Sequence, residues 1–379
     1  MASLLSIVVP TKDRYYYLKK LIELVDSFGY GEELELVIQD NTADNSEILD
    51  YIGNKRYTNL KYFYTPQPIS ISENCDLSIN NSTGKYICFI GDDDAVTRYV
   101  MDCTKWMVEK SIDCVFPDRI TFLWPESYPG CKGDLYYKPF TNTVQIIDTK
   151  DVLNDLISRG CVDTGRLPLL YRGVVKRDVL DKIYNQCGTY FPGASPDIAN
   201  AVSLCLGIDK FAIISAPIAI GGNSKTGGGG VNQLKHKAQT DFSKLPWLPK
   251  NTELIWCNQI PKIWTNPTIW CESVVEAFRA WGRDDLIKRV NFEKLYDYFL
   301  LNYFYYRKMV LPLTRNKSLL LIRFVFNFII KANRALYNRF RMKILGSNID
   351  NGRIKLEGFK DFEDIYKYFE EQGYGFYIK

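Results

Sequence analysis

No C-x-x-C pair and no regular spacing occurs among the ten cysteines of this chain, so neither a zinc site nor a disulfide framework is indicated, and reduced thiols in a cytosolic protein are the simpler account. Histidine occurs once, at His236. The N-terminal stretch Met1 to Pro10 has no basic flank and no long apolar core; it is not a signal peptide and reads directly as a first strand. A large excess of one sign of charge is missing as well. A formal net charge of +4 over 379 residues is too small to make nucleic acid the main partner. No G-x-G-x-x-G follows the first strand and no phosphate-loop sequence occurs, which excludes a dehydrogenase-type dinucleotide site. What is present is an apolar fraction of 46%, enough to fill the cores of about two or three domains. Aromatic residues make up 14%, mostly tyrosine; sugar stacking, a membrane-facing surface and large cores all use them, so this decides nothing.

The first hundred residues alternate. Leu4 to Val9 is an apolar strand ended by Pro10, and Tyr15 to Val25 places Leu18, Leu21, Ile22 and Val25 on one helical face. Leu34 to Ile38 is a second strand followed by a helix over Asp44 to Ile52, and Leu60 to Tyr64 a third, followed by a helix over Ser72 to Asn80 capped by Ser72. The fourth strand, in Gly84 to Asp94, runs straight into Asp92, Asp93 and Asp94. Strands alternating with helices predict a doubly wound, mostly parallel α/β sheet, with ligands beyond the carboxyl ends of the strands. Thr11 and Arg14, Asp40 and Asn41, and the aspartate triplet all fall there. Three adjacent carboxylates repel one another unless a positive group sits between them, and hard oxygen ligands select Mg²⁺ or Mn²⁺. A solvated acidic turn is the bland alternative.

Three stretches carry a family resemblance: Ile7-Val8-Val9-Pro10-Thr11-Lys12-Asp13-Arg14, then Val37 to Ser46, then Gly84 to Asp94. In order and separation they resemble the signatures of inverting GT-A glycosyltransferases of family 2, over Met1 to Lys110 and more loosely as far as Gly230. The resemblance implies a Rossmann-like GT-A fold in which Thr11 and Arg14 meet the nucleotide and its phosphates, Asp40 the nucleobase edge, Asp92 the ribose and Asp94 the metal. Asp93 is grouped with the donor-binding residues without a firm role. Where the family's second signature usually ends in Asp-Gly-Ser, this chain has Asp40-Asn41-Thr42, which puts the base contact in doubt.

Beyond the triplet, Phe122 to Phe140 is rich in Pro, Gly, Trp and Tyr and reads as a loop excursion beside the site. Ser195, Pro196 and Asp197 open an apolar helix, with Ser195 as N-cap and Pro196 at the first helical position. An Asp at such a place commonly acts as the family's base; the alternative is an acid favouring the helix dipole. Phe211 to Ile220 reads as a strand interrupted by Pro217. Gly221 to Gly230 follows, either a lid that closes over the diphosphate with Ser224 and Lys225, or a linker. His236 would be a further metal ligand by resemblance, although Lys235 and Lys237 suggest an exposed residue. Leu319 to Ile330 is apolar and is flanked by Arg315, Lys317, Lys331, Arg334, Arg339, Arg341 and Lys343 with no acid in that span. It is too short and interrupted to cross a bilayer; lying on an anionic membrane and packing on protein are both open. The tail from Asp350 contains a short amphipathic helix around Phe362, Ile365, Tyr366 and Phe369.

The reading is therefore a GT-A catalytic domain over 1–245 and an aromatic, basic, helical C-terminal region over 246–379. The first divides into a nucleotide-sugar half, 1–110, and an acceptor half with a Gly-rich lid, 111–245. The expected activity is a Mn²⁺- or Mg²⁺-dependent, inverting transfer of a sugar from a nucleotide diphosphate to a saccharide or lipid-linked acceptor. The setting is bacterial surface polysaccharide assembly (capsule or O-antigen), in the cytoplasm or at the inner face of the cell membrane, with homo-oligomerisation left open. A nucleotidyltransferase and a non-catalytic saccharide-binding scaffold are the alternatives.

Overall fold

The computed structural model describes residues 3–226, 238–245, 247–345, 349–350 and 352–379. The expected first strands form as β1 (Leu5–Thr11), β2 (Leu34–Asp40), β3 (Leu60–Tyr64) and β4 (Tyr86–Phe89), followed by a two-residue β5 (Ala95–Val96). Next come β6 (Cys114–Pro117), β7 (Thr121–Leu123), β8 (Asp134–Tyr137), β9 (Val144–Asp148), β10 (Val174–Lys176), β11 (Lys210–Ile214) and β12 (Ala219–Asn223). Two late strands, β13 (Ile349–Asp350) and β14 (Arg353–Glu357), close the series.

Among the described residues these strands make two sheets. Eight form a mixed α/β sheet in the order β3-β2-β1-β4-β10-β6-β11-β9. Pairing is parallel through β3, β2, β1 and β4 and between β6 and β11, while β10 and β9 run antiparallel to their neighbours. Leu5, Ile7, Val8 and Val9 are wholly buried, because a strand covered by helices on both faces has no side on which a polar residue reaches water. The second sheet, β13-β14-β8-β7-β12-β5, stands beside the first. The doubly wound, mostly parallel α/β architecture of the GT-A expectation is the observed one, with helices in the C-terminal part.

Three local expectations change. The helix after β3 spans Ile71–Asn80 and is capped by Ser70, not Ser72. Ser70 Oγ accepts from the Glu73 N–H at 3.2 Å and Glu73 Oε2 accepts from the Ser70 N–H at 2.7 Å, the reciprocal pair that a Ser-x-x-Glu spacing makes possible. The stretch Phe122 to Phe140 is not a loop excursion alone. Its ends are β7 and β8, and the alternation of Phe122, Trp124, Leu135 and Tyr137 points those rings into the core. Pro217 does more than interrupt a strand, since β11 and β12 on either side of it join different sheets.

The C-terminal helices Asn266–Ala280, Phe292–Asn302 and Lys317–Leu345 stack outward from the helix Pro196–Gly207, sharing a core that includes Val202, Val274, Phe278, Leu295, Phe299 and Leu320. The last residues do not continue that stack. β14 pairs with β8, and the helix Phe362–Glu371 buries Phe362, Ile365 and Phe369 in the same core as β1 and the helix Tyr15–Ser27. Phe362 meets Trp124 edge-on with centroids 4.8 Å apart.

Candidate active site

The polar clusters converge where β1 and β4 end. After Ile90 the chain turns at Gly91, and Asp94 closes the turn: its Oδ2 accepts from the Gly91 N–H at 2.9 Å. Space at Gly91 is tight, because an added Cβ would stand 3.1 Å from the Tyr171 hydroxyl and within 3.3 Å of oxygens of Asp93 and Asp94. Asp92 accepts from Thr11 Oγ1 at 2.6 Å and is held by Arg14, through Nε at 3.1 Å and Nη2 at 2.5 Å. Asp93 Oδ2 accepts from the Ser224 hydroxyl at 2.6 Å and faces Arg14 Nη1 at 3.4 Å. Asp94 Oδ1 accepts from the Gly222 N–H at 2.7 Å. Thr11, Arg14, Asp92, Asp93 and Ser224 thus form one network, and Asp94 lies beside it, tied to the backbone of Gly91 and Gly222.

The triplet's charge is balanced by two arginines. Burial pushes Asp92 up to about 7 against the opposing pull of Arg14. It pushes Asp94 up to about 6, opposed by Arg172 and by a hydrogen bond from Tyr171. Asp94 was expected to bind Mn²⁺ or Mg²⁺. It is fully buried, with one oxygen engaged by Gly91 and the other by Gly222, and no three metal-ligating side chains are grouped among the described residues. The described residues therefore do not fit a ready-made cation cradle; His236 lies outside them.

Arg172 is the residue that sequence reasoning missed. It follows Tyr171 in the segment that returns to the sheet through β10, at φ 66°, an unusual left-handed conformation for a side chain of this size. Its N–H donates to the Phe89 carbonyl at 2.7 Å and its guanidinium lies over the Tyr171 ring at 4.8 Å. From there it acts electrostatically on Asp94, Asp197 and Asp93 together. No periodicity marks such a residue; its φ and its acid neighbours appear only once the strands are assembled. Gly221 and Gly222 exist for the same junction. A Cβ on Gly221 would lie 1.7 Å from Arg172 Nη1, and one on Gly222 1.5 Å from the Asp93 carbonyl oxygen. Both glycines, with Asn223, are therefore strand rather than lid, paired with β7 at Thr121, Phe122 and Leu123. The lid expected over Gly221 to Gly230 is reduced to its later part, of which Gly227 to Gly230 lie outside the described residues.

Asp197 is coupled to this cluster through Arg172. It stands in the first turn of the helix Pro196–Gly207, after Ser195 at the N-cap and Pro196 inside the helix. The Ser195 hydroxyl makes no capping bond, contrary to expectation. The helix Asn266–Ala280 fixes this entry instead: Glu276 Oε2 accepts from the Ala194 N–H and Ser273 Oγ from the Ser195 N–H, each at 2.8 Å. Asp197 reaches water, yet protein walls crowd it, and that burial raises its pKa while Arg172 opposes the shift. The depressed value expected from the helix N-terminus alone is overridden.

Asp40 is held by a separate set of hydrogen bonds. It is fully buried, and accepts from Tyr15 Oη at 2.7 Å, Tyr62 Oη at 2.6 Å and the Thr42 N–H at 2.8 Å. Asn41 Oδ1 accepts from Lys12 Nζ at 3.2 Å, while its amide nitrogen donates to the carbonyls of Thr65 at 2.6 Å and Gln67 at 2.8 Å. Lys225 is exposed. Two further acids lie elsewhere: Asp163 is bound by Arg159 and the Gly165 N–H, while Asp118 lines a small cavity with Arg119 and Arg172. A larger concavity, lined by Asp113, Lys176, Asp178 and Lys210, lies at the opposite edge of the sheet and holds exposed charge pairs.

Residues 6–127, which hold β1 to β4 and the aspartate triplet, match the family described as Glycosyl transferase family 2. No curated protein matches the chain. Among solved structures, residues 1–349 of TarS from S. aureus in complex with UDP-GlcNAc align at 15% identity and a TM-score of 0.49, covering 82% of this chain and 89% of that one. A further TarS structure aligns at 16% identity and a TM-score of 0.43, with 59% of this chain covering 37% of that one. The mannosyltransferase PcManGT from Pyrobaculum calidifontis, in complex with GDP-Man and Mn²⁺, aligns at 13% identity and a TM-score of 0.39, covering 87% and 88%.

Proposed function

We propose that this chain is an inverting glycosyltransferase that moves a sugar from a nucleotide-diphosphate donor to a hydroxyl of a saccharide or lipid-linked acceptor. The observation that carries the reading is one junction. In and beside the region that matches the glycosyl transferase family 2 description, Asp93, Asp94 and Asp197 act on one guanidinium, Arg172, while Arg14 holds Asp92 and Asp93. The reaction is an in-line displacement at the anomeric carbon, in which the acceptor oxygen bonds to carbon as the diphosphate oxygen leaves. Asp197 takes the acceptor proton, its raised pKa making it a better base than an ordinary aspartate. Arg14, half-exposed above Asp92 and Asp93, and Arg172 are the cations placed to offset negative charge growing on the leaving diphosphate. Thr11 and Asp92 take the nucleotide side. Asp40 reaches a base edge only by sharing the hydroxyls of Tyr15 and Tyr62. No step is assigned to a metal, and dependence on Mn²⁺ or Mg²⁺ is a quantity to be measured. The biological setting we assign is surface polysaccharide assembly, capsule or O-antigen, in the cytoplasm, where ten free cysteines stay reduced.

Calorimetric titration of nucleoside diphosphates and nucleotide sugars, in Mn²⁺, in Mg²⁺ and in chelator, tests this, with thermal shift as a second readout. Binding of at least one nucleotide sugar and its slow hydrolysis are expected. A chain that binds no nucleotide in any of the three conditions is a scaffold, and the reading fails.

A further inference from the structure

We propose that the helix Lys317–Leu345 is a docking element for an anionic lipid bilayer surface, a role independent of the glycosyl-transfer reading. The helix joins the body along one stripe. Leu320 is fully buried, Phe324 stacks on Phe304 at 5.1 Å, and Arg323 pairs with Asp297 at 2.8 Å and Glu293 at 2.7 Å. At 100° per residue the opposite stripe carries Ile322, Val325, Phe326, Ile329, Leu336 and Tyr337. All six are 52 to 66% exposed. A soluble surface normally scatters such residues singly, so an aligned row of this size marks a face that something covers.

Charge decides what covers it. From Lys317 to Leu345 the chain has seven basic residues, Lys317, Arg323, Lys331, Arg334, Arg339, Arg341 and Lys343, and no acid. Only Arg323 is spent on the body by ion pairs among the described side chains; Lys331 donates to the Asn302 amide oxygen at 2.8 Å and stays exposed. A second copy of this helix would bring only more positive charge and no acid to neutralise it, whereas phosphate headgroups supply the missing sign. Lys331 and Arg334 continue the body-facing side past the last packed residues, opposite the apolar row, which is the arrangement of a helix lying in the plane of an interface. No helix among the described residues is long and apolar enough to cross a membrane.

The experiment uses the full chain and two kinds of vesicle, phosphatidylcholine alone and phosphatidylcholine with phosphatidylglycerol, in a co-sedimentation assay at low and high salt. The protein is expected to sediment with the anionic vesicles at low salt and to be largely released by high salt, since these charges are screened. Lys331→Gln and Arg334→Gln should each weaken partitioning about fivefold. Phe326→Ser and Ile329→Ser should each weaken it about tenfold, and circular dichroism verifies that all four variants keep the wild-type helix content. Equal binding to both kinds of vesicle overturns the charge argument. Failure to bind anionic vesicles at low salt overturns the proposal, as does a dimer in analytical ultracentrifugation that Phe326→Ser dissociates, because the row then belongs to a second copy. Nucleotide binding by the same samples reads the active site separately.

Discussion

Replacing Asp94 by asparagine removes one charge and almost no volume, so its outcome turns on what that charge holds. A carboxylate that only bound a cation could be lost without touching the fold. Here the carboxylate is buried, ties the Gly91 turn to β12 through Gly222, and faces Arg172. Asp94→Asn leaves Arg172 with one fewer counter-charge, and we expect a loss of roughly 3 kcal/mol, read as a lower urea midpoint at unchanged slope. An unchanged midpoint would show that Asp93 and Asp197 compensate Arg172 by themselves. Asp197→Asn is the contrasting case, because its side chain reaches water and makes no fold-bearing hydrogen bond of its own that the structure records. Donor affinity should persist while transfer falls by roughly two to four powers of ten. The pH profile carries the sign. In the proposed role of base Asp197 works ionised, and its pKa is raised, so activity is expected to be lost as pH falls through a value above that of an ordinary aspartate, 3.8. Arg172 opposes the rise, so Arg172→Gln should move that acid limb of kcat/KM to higher pH; a limb that stays in place would remove Asp197 from the role of base.

At the scale of the element, β12 is where sequence and structure part. Gly222→Ala would drive a Cβ onto the Asp93 carbonyl, a backbone atom that cannot swing aside, and break the Gly222 bond to Asp94. A cost of about 3 kcal/mol is expected. Gly207→Ala, where the nearest atoms stand at 3.8 Å, should be tolerated in the same unfolding assay. Comparable stabilities for the two variants would mean that β12 moves freely. The strands β1 to β4 and the carboxylates at their ends were legible because a buried parallel strand writes a continuous apolar run, and a polar residue directly after it has one place to be. Glycines at a close approach and glycines in a flexible loop look alike in sequence, so Gly221 and Gly222 read as the second kind until β12 is assembled. Arg172 was illegible for another reason: its importance lies in meeting three acids from two distant segments, Asp93 and Asp94 after β4 and Asp197 in the helix Pro196–Gly207. The pairing of β7 with β8 was hidden by Pro, Gly and Trp, residues that mark a loop until their neighbours show which rings are buried.

For the whole molecule, the question is whether the last thirty residues are an appendage of the helical region or part of the catalytic core. Their amphipathic helix was legible, but not what it packs against. Phe362, Ile365 and Phe369 are buried beside Phe122, Trp124, Leu135 and Tyr137, and β14 covers what would otherwise be an open edge of β8. A chain ended after Leu345 would strip those rings of their partners and leave unpaired strand N–H and C=O groups at that edge. We therefore expect it to lose cooperative unfolding or to aggregate, rather than to survive as an active, shortened enzyme. Phe362→Ala is the graded version: it empties a site against Trp124 and should lower stability by about 3–5 kcal/mol. The effect should also reach the site, because Trp124 Nε1 donates to the Asp93 carbonyl at 3.0 Å and so couples that core to the triplet. Weaker nucleotide binding in Phe362→Ala, at temperatures where the variant is still folded, is the signature of that coupling. A truncated chain with wild-type melting temperature would show instead that the tail merely rests on a core complete without it.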